Sequence, residues 1–135
     1  ELFTDLKKLF PEEEFQFEVP TPELKLNADR TQIEQILINL LKNAREACSR
    51  KSDKKIQVKA RKLSAGNTTL TISDNGEGIL PDVLDKIFVP FFTTKTSGSG
   101  IGLSLCKQIM TLHEGSINVK SEVGKGSSFI LTFPK

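Results

Sequence analysis

The chain has 135 residues, 37% apolar and 27% charged, with nine glycines, six prolines and a formal net charge of +2. This composition excludes a disordered or fibrous chain and fits one globular domain, residues 1–135, able to bury its own core. No apolar run reaches the ~20 residues of a membrane span, and a single histidine, His113, excludes a multi-histidine metal site.

In chain order, Leu2, Phe3, Leu6, Leu9 and Phe10 recur at helical spacing until Pro11, which predicts a helix over Glu1–Phe10. Phe15–Val19 alternates apolar and polar residues as a half-buried strand does, and Leu24–Leu26 is a second short alternating segment. Asp29 is placed to cap a long helix reaching about Ser49, with Ile33, Ile36, Leu37, Leu40, Leu41, Ala44, Ala47 and Cys48 on its apolar face. Residues 42–62 hold nine bases against two acids. No aromatic residue interleaves them, so a solvated helix end is favoured over nucleic-acid binding, although a basic rim attracts phosphate-bearing ligands. Ile56–Ala60 and Leu70–Ser73 read as two strands joined through Gly66–Asn67.

From Asp74 to Gly102 the sequence carries five glycines and two prolines, with at most a short helix near Pro81–Ile87. A loop this long exceeds the usual ~12–15 residues and is a candidate lid or binding loop. Residues 102–112 are helical, Gly115 ends that helix, and Ile117–Val119 and Phe129–Phe133 are strands around a Gly124–Lys125–Gly126 turn. The class is therefore α+β, with a mixed, mainly antiparallel sheet of about five strands and three helices on one face. Cys48 and Cys106 lack metal-ligand spacing and read as reduced thiols of a cytosolic protein.

Four segments carry candidate chemistry. Asn39 and Asn43 are one turn apart, with Glu46, along one border of the long helix's apolar face. They are either an ordinary amphipathic boundary or carbonyl oxygens able to ligate a hard cation such as Mg²⁺. Asp74-Asn-Gly76-Glu-Gly78 follows a strand without leading into a returning one, so its acid can accept a hydrogen bond from a heterocycle's amine. Phe88-Val-Pro-Phe-Phe-Thr-Thr-Lys95 sets an apolar anchor before a lysine within reach of a phosphate. Gly98-Ser-Gly100-Ile101-Gly102-Leu103 feeds a helix N-terminus, where backbone N–H groups favour anions.

Together, in this order, these segments resemble the ATP-binding catalytic domain of two-component sensor histidine kinases, closest to the nitrogen-regulation branch. The matches are the asparagine box Gln35–Ala47, the glycine box Asp74–Ile79, the phenylalanine box Phe88–Lys95, the second glycine box Gly98–Leu103 and the closing His113–Phe129 strands. The resemblance implies a two-layer Bergerat sandwich with an ATP lid over about residues 76–102. It implies Asn43 on Mg²⁺ with Asn39 assisting, Asp74 on the adenine amine with Gly76 and Gly78 turning beneath the base, and Ser127 supporting that contact. Lys95, Gly98, Gly100 and Gly102 would hold the phosphates, with Ile79, Phe88, Ile101 and Leu103 lining the nucleotide. Asn39 stands where related ATPases of the fold carry a glutamate that activates water, which favours transfer to an imidazole. Glu46 departs from the lysine of some sensor kinases and takes no phosphate contact.

The expected reaction is transfer of the γ-phosphoryl group of Mg-ATP to a histidine on a separate dimerisation domain, absent from this chain, and from there to a response regulator. No nucleic acid or membrane contact is expected, and the location is cytoplasmic, including as the cytosolic part of a membrane-bound sensor. His113 is followed by a helix stop and reads as a packing residue, not the phosphoacceptor. The alternatives are a non-catalytic nucleotide-sensing module and an ATPase or serine kinase of the same fold.

Overall fold

A computed structural model describes residues 15–18, 30–48, 52–63, 65–90 and 102–134. The elements are β1 (Phe15–Glu18), α1 (Arg30–Ala47), β2 (Ile56–Lys62), β3 (Thr68–Asp74), α2 (Pro81–Leu84), α3 (Gly102–Leu112), β4 (Ser116–Glu122) and β5 (Gly126–Phe133). The predicted helix Glu1–Phe10, the segment Leu24–Leu26 and the cap at Asp29 lie outside the described residues.

The sheet runs β1-β2-β3-β5-β4. Its last four strands are antiparallel, and β1 joins β2 in parallel with Phe15 opposite Ile56. Period-2 alternation settles which face is covered. Ile56, Val58 and Ala60, then Leu70 and Ile72, then Phe129, Leu131 and Phe133, with Ile117, are all buried. Against this face α1 presents Ile33, Ile36, Leu37, Leu40, Leu41, Ala44 and Cys48, and α3 presents Cys106, Ile109 and Met110. Every residue of the expected α1 face is in that core except Ala47, which is half-buried at the helix end. Each large aliphatic side chain withdrawn from water contributes about 1.5–3 kcal/mol, so this interface fixes how the two layers sit.

α3 ends by a device the sequence shows only in part. Gly115 N–H donates to Met110 O (2.9 Å), but the left-handed residue is Glu114, at φ 58°. Gly115 is needed for space: a β-carbon there would collide with the Thr132 carbonyl of β5. His113 Nδ1 lies 2.8 Å from Ile109 O, so its ring caps the last turn of its own helix. Between β3 and α3 the chain makes the short α2 and successive turns to Pro90. Ile87 is buried and Phe88 packs partly against the core, with Lys107 Nζ 5.7 Å from the centre of its ring.

Candidate functional site

The register of the central strands builds one end of the site. On the helix-facing side, Leu70, Leu131 and Ile117 form one cross-strand row and Ile72, Phe129 and Val119 the next. The third row is Asp74, Ser127 and Ser121, where an apolar face turns polar. A depression of about 320 Å³ opens here, lined by these three residues together with Lys120, Glu122 and Lys125.

Asp74 is the ionisable group of the row. Burial pushes its carboxyl above the usual aspartate range, while the backbone N–H groups of Gly76 and Ser127 donate to it and pull the other way. The Gly76 bond is 2.9 Å. Burial is the larger effect, so the carboxylate is short of solvation and a strong acceptor for a ligand donor.

The turn after Asp74 is pinned to the end of α1. Glu77 N–H donates to Ala47 O (3.2 Å). Asn75 accepts from Lys55 N–H (2.8 Å) and donates to Asp53 O (2.8 Å), and the Cys48 thiol lies 3.5 Å from Asn75 Oδ1. A β-carbon on Gly76 would stand 2.5 Å from Ala47 O, so only glycine admits this approach. Gly78 takes φ +78° against the Glu122 backbone, and the chain then leaves the row at Ile79, whose N–H donates to Ser121 Oγ (2.7 Å).

α1 links this end to the other. Asn39, Asn43 and Ala47 are spaced four residues apart and form one stripe, about 12 Å long at 1.5 Å per residue. At Ala47 the stripe touches the Asp74 turn. At Asn39 it faces the start of α3, where a β-carbon on Gly102 would be 3.7 Å from the Asn39 amide, an open contact. The Asn39 amide lies 3.9 Å from Cys106 Sγ, and burial pushes that thiol up to about 11. Asn43 is half-buried between the two ends.

The structure thus brings Asn39, Asn43, Asp74, Gly76, Gly78, Gly102 and Ser127 along one border between the layers, with Ile79, Phe88 and Leu103 packed at the edge of the core. Lys95, Gly98, Gly100 and Ile101 lie outside the described residues. Sequence reading missed Ser121, Asn75 and Cys106. Ser121 had a signal: Ile117, Val119 and Ser121 alternate, which puts a serine on an inward face.

Among the described residues no cluster of three or more His, Cys, Asp or Glu side chains could hold a metal. The stripe supplies neutral amide oxygens. That donor set fits Mg²⁺, which keeps its waters and is commonly held through substrate phosphates.

Residues 28–135 match the family described as histidine kinase-, DNA gyrase B-, and HSP90-like ATPase. AtoS, a signal transduction histidine-protein kinase of Escherichia coli (strain K12), is 43% identical over 109 residues, 81% of this chain and 18% of that protein. Sensor histidine kinase ZraS of Salmonella typhimurium is 40% identical over 110 residues, 82% of this chain and 23% of that protein. The chain therefore spans about a fifth of the length of these curated relatives. The solved catalytic domain of histidine kinase ThkA superposes with a TM-score of 0.85 at 36% identity, over 99% of this chain and 90% of that one. ThkA in complex with the response regulator protein TrrA gives a TM-score of 0.78 at 32% identity, over 99% of this chain and 39% of that one.

Proposed function

The chain belongs to the histidine kinase-, DNA gyrase B- and HSP90-like ATPases, on the sensor histidine kinase side of that family, and from this premise we propose that it transfers the γ-phosphoryl group of Mg-ATP to a histidine on a separate dimerisation domain. The observation that carries the reading is the α1 stripe. It runs from a carboxylate suited to a base amine, at Asp74, past two amide oxygens to the open side of a helix N-terminus at Gly102.

In this reading Asp74 accepts from the adenine amine, and Ser127 supports the contact from the adjacent strand. Ile79, Phe88 and Leu103, with Ile101, line the nucleotide. Asn43 holds Mg²⁺ and Asn39 assists; the ion supplies charge neutralisation on the phosphates. Lys95 and the Gly98–Gly102 backbone hold the phosphate end, and residues 76–102 form the lid. Such a site works by positioning and electrostatic stabilisation, the main demands of phosphoryl transfer. Neither Asn39 nor Asn43 can act as a base, which suits an imidazole acceptor that is already nucleophilic.

His113 is committed to the end of α3, so the acceptor histidine belongs to another domain. The response regulator would be served indirectly, through that histidine. We place the domain in the cytoplasm; among the described residues no helix is long and apolar enough to cross a membrane. The test mixes the chain with candidate dimerisation domains and γ-labelled ATP. Acid-labile label on a partner histidine is the expected result. Mg²⁺-dependent binding without transfer to any partner would instead identify a nucleotide-sensing module.

A further inference from the structure

The polar row that closes the sheet face has a defined direction of hydrogen bonding. Ser121 Oγ receives the Ile79 N–H (2.7 Å), and lies 3.1 Å from Gly126 O and 2.9 Å from Ser127 Oγ. A serine hydroxyl has one proton and two lone pairs. A carbonyl only accepts, so the Ser121 proton goes to Gly126 O. Ile79 N–H occupies one Ser121 lone pair, and the other takes the proton of Ser127. Ser127 is 6% exposed, and with its proton spent it has only lone pairs to offer. Beside it stands Asp74, its partner in the β3–β5 register, also an acceptor when ionised. Two neighbouring acceptors are satisfied together by one exocyclic amine, which carries two N–H donors, and are opposed by a carbonyl in the same place.

We propose that Ser121 is a positioning residue that sets base specificity: by consuming the Ser127 proton it makes the row select a 6-amino purine over a 6-oxo purine. The inference rests on the reading of the Asp74 end as the base site. Ser121 acts through Ser127 and need not touch the ligand. Through Ile79 it also ties the backbone leaving Gly78 to the same row, so base selection and the root of the following loop share one hydroxyl.

The experiment is competition between ATP and inosine triphosphate, which carries a carbonyl in place of the amine, for the full chain with Mg²⁺. The wild-type protein prefers ATP. Ser121→Ala returns the proton to Ser127 and narrows that preference about three- to tenfold, the size of one uncharged hydrogen bond. Ser121→Thr keeps the hydroxyl and restores the preference. Equal weakening of both nucleotides in Ser121→Ala is what a merely structural role predicts, and that result overturns the proposal. If Ser121→Ala folds poorly, Ser127→Ala removes the acceptor and narrows the same preference; an unchanged preference there also overturns it. A wild-type chain that binds neither triphosphate overturns the base-site reading itself, so the two failures are distinguishable.

Discussion

Gly76 packs against Ala47 so closely that a β-carbon on the glycine would lie 2.5 Å from the alanine carbonyl oxygen. The obstacle is helix backbone, which cannot rotate aside. Gly76→Ala is therefore expected to destabilise the protein by about 2–3 kcal/mol, as overpacking against an immovable neighbour does. Gly102→Ala is the contrasting case, because its β-carbon meets Asn39 only at 3.7 Å. It should leave the melting temperature unchanged or slightly raised while weakening Mg-nucleotide affinity. Thermal melts and calorimetry on the pair check this; loss of stability in Gly102→Ala would contradict it.

Asp74 gives a pH dependence with a definite sign. Its carboxyl is raised by burial, so between its ordinary pKa and the raised one the folded protein binds more protons than the unfolded chain. Stability contributed by this group is full below the ordinary value and is lost as pH rises through the raised value. The stability of wild type minus that of Asp74→Asn should fall with pH across that window and then level off. Asp74→Asn should also abolish adenine nucleotide binding, because it exchanges the ionised acceptor for an amide. Denaturant melts at several pH values, with nucleotide titrations alongside, measure both; unchanged nucleotide affinity would remove Asp74 from the base site.

Asn43 predicts a difference rather than a loss. With Asn43→Ala, nucleotide affinity measured with Mg²⁺ should fall about tenfold or more toward the Mg²⁺-free value, consistent with losing a ligand to a hard cation. Adenosine, which has no phosphate, should bind the variant as it binds wild type. An unchanged Mg²⁺ increment would take the metal role away from this side chain.

Cys48 and Cys106 are both 0% exposed, and the Cys106 thiol is pushed up to about 11. Thiolate is the reactive form, so alkylation of the native protein at pH 8 should be slow and should rise sharply at the unfolding transition. Rapid labelling of Cys106 in the folded state would show that the α1–α3 interface opens more readily than its packing indicates.

Local patterning made most of the fold legible. The alternation of Ile56–Ala60 and Leu70–Ser73 and the 3.6-residue recurrence along α1 are nearest-neighbour signals, and both gave the buried faces seen. What stayed hidden depends on contacts between distant segments. Glycine in an Asp-Asn-Gly sequence reads as turn chemistry, yet Gly76 is required by the end of a helix 29 positions earlier. Gly115 reads as the stop of α3, whereas Glu114 holds the left-handed conformation and Gly115 makes room for β5. Asn39 and Asn43 were visible as a polar border, but Cys106 as the neighbour of Asn39 emerges only when α3 is laid against α1. The alternation of Ile117, Val119 and Ser121 puts that serine on the inward face, but its partners Ile79 and Ser127 are set by how the segments are laid together.

The sheet order β1-β2-β3-β5-β4 places β5, the last of the described strands, at an interior position. During synthesis, the free edge of β3 therefore waits for Gly126–Phe133 to emerge, and Ser127 reaches Asp74 only when that strand is inserted. Pairing at such sequence separation is entropically slow relative to forming helices. Completion of the Asp74–Ser127 row would then be a report on completed insertion of β5.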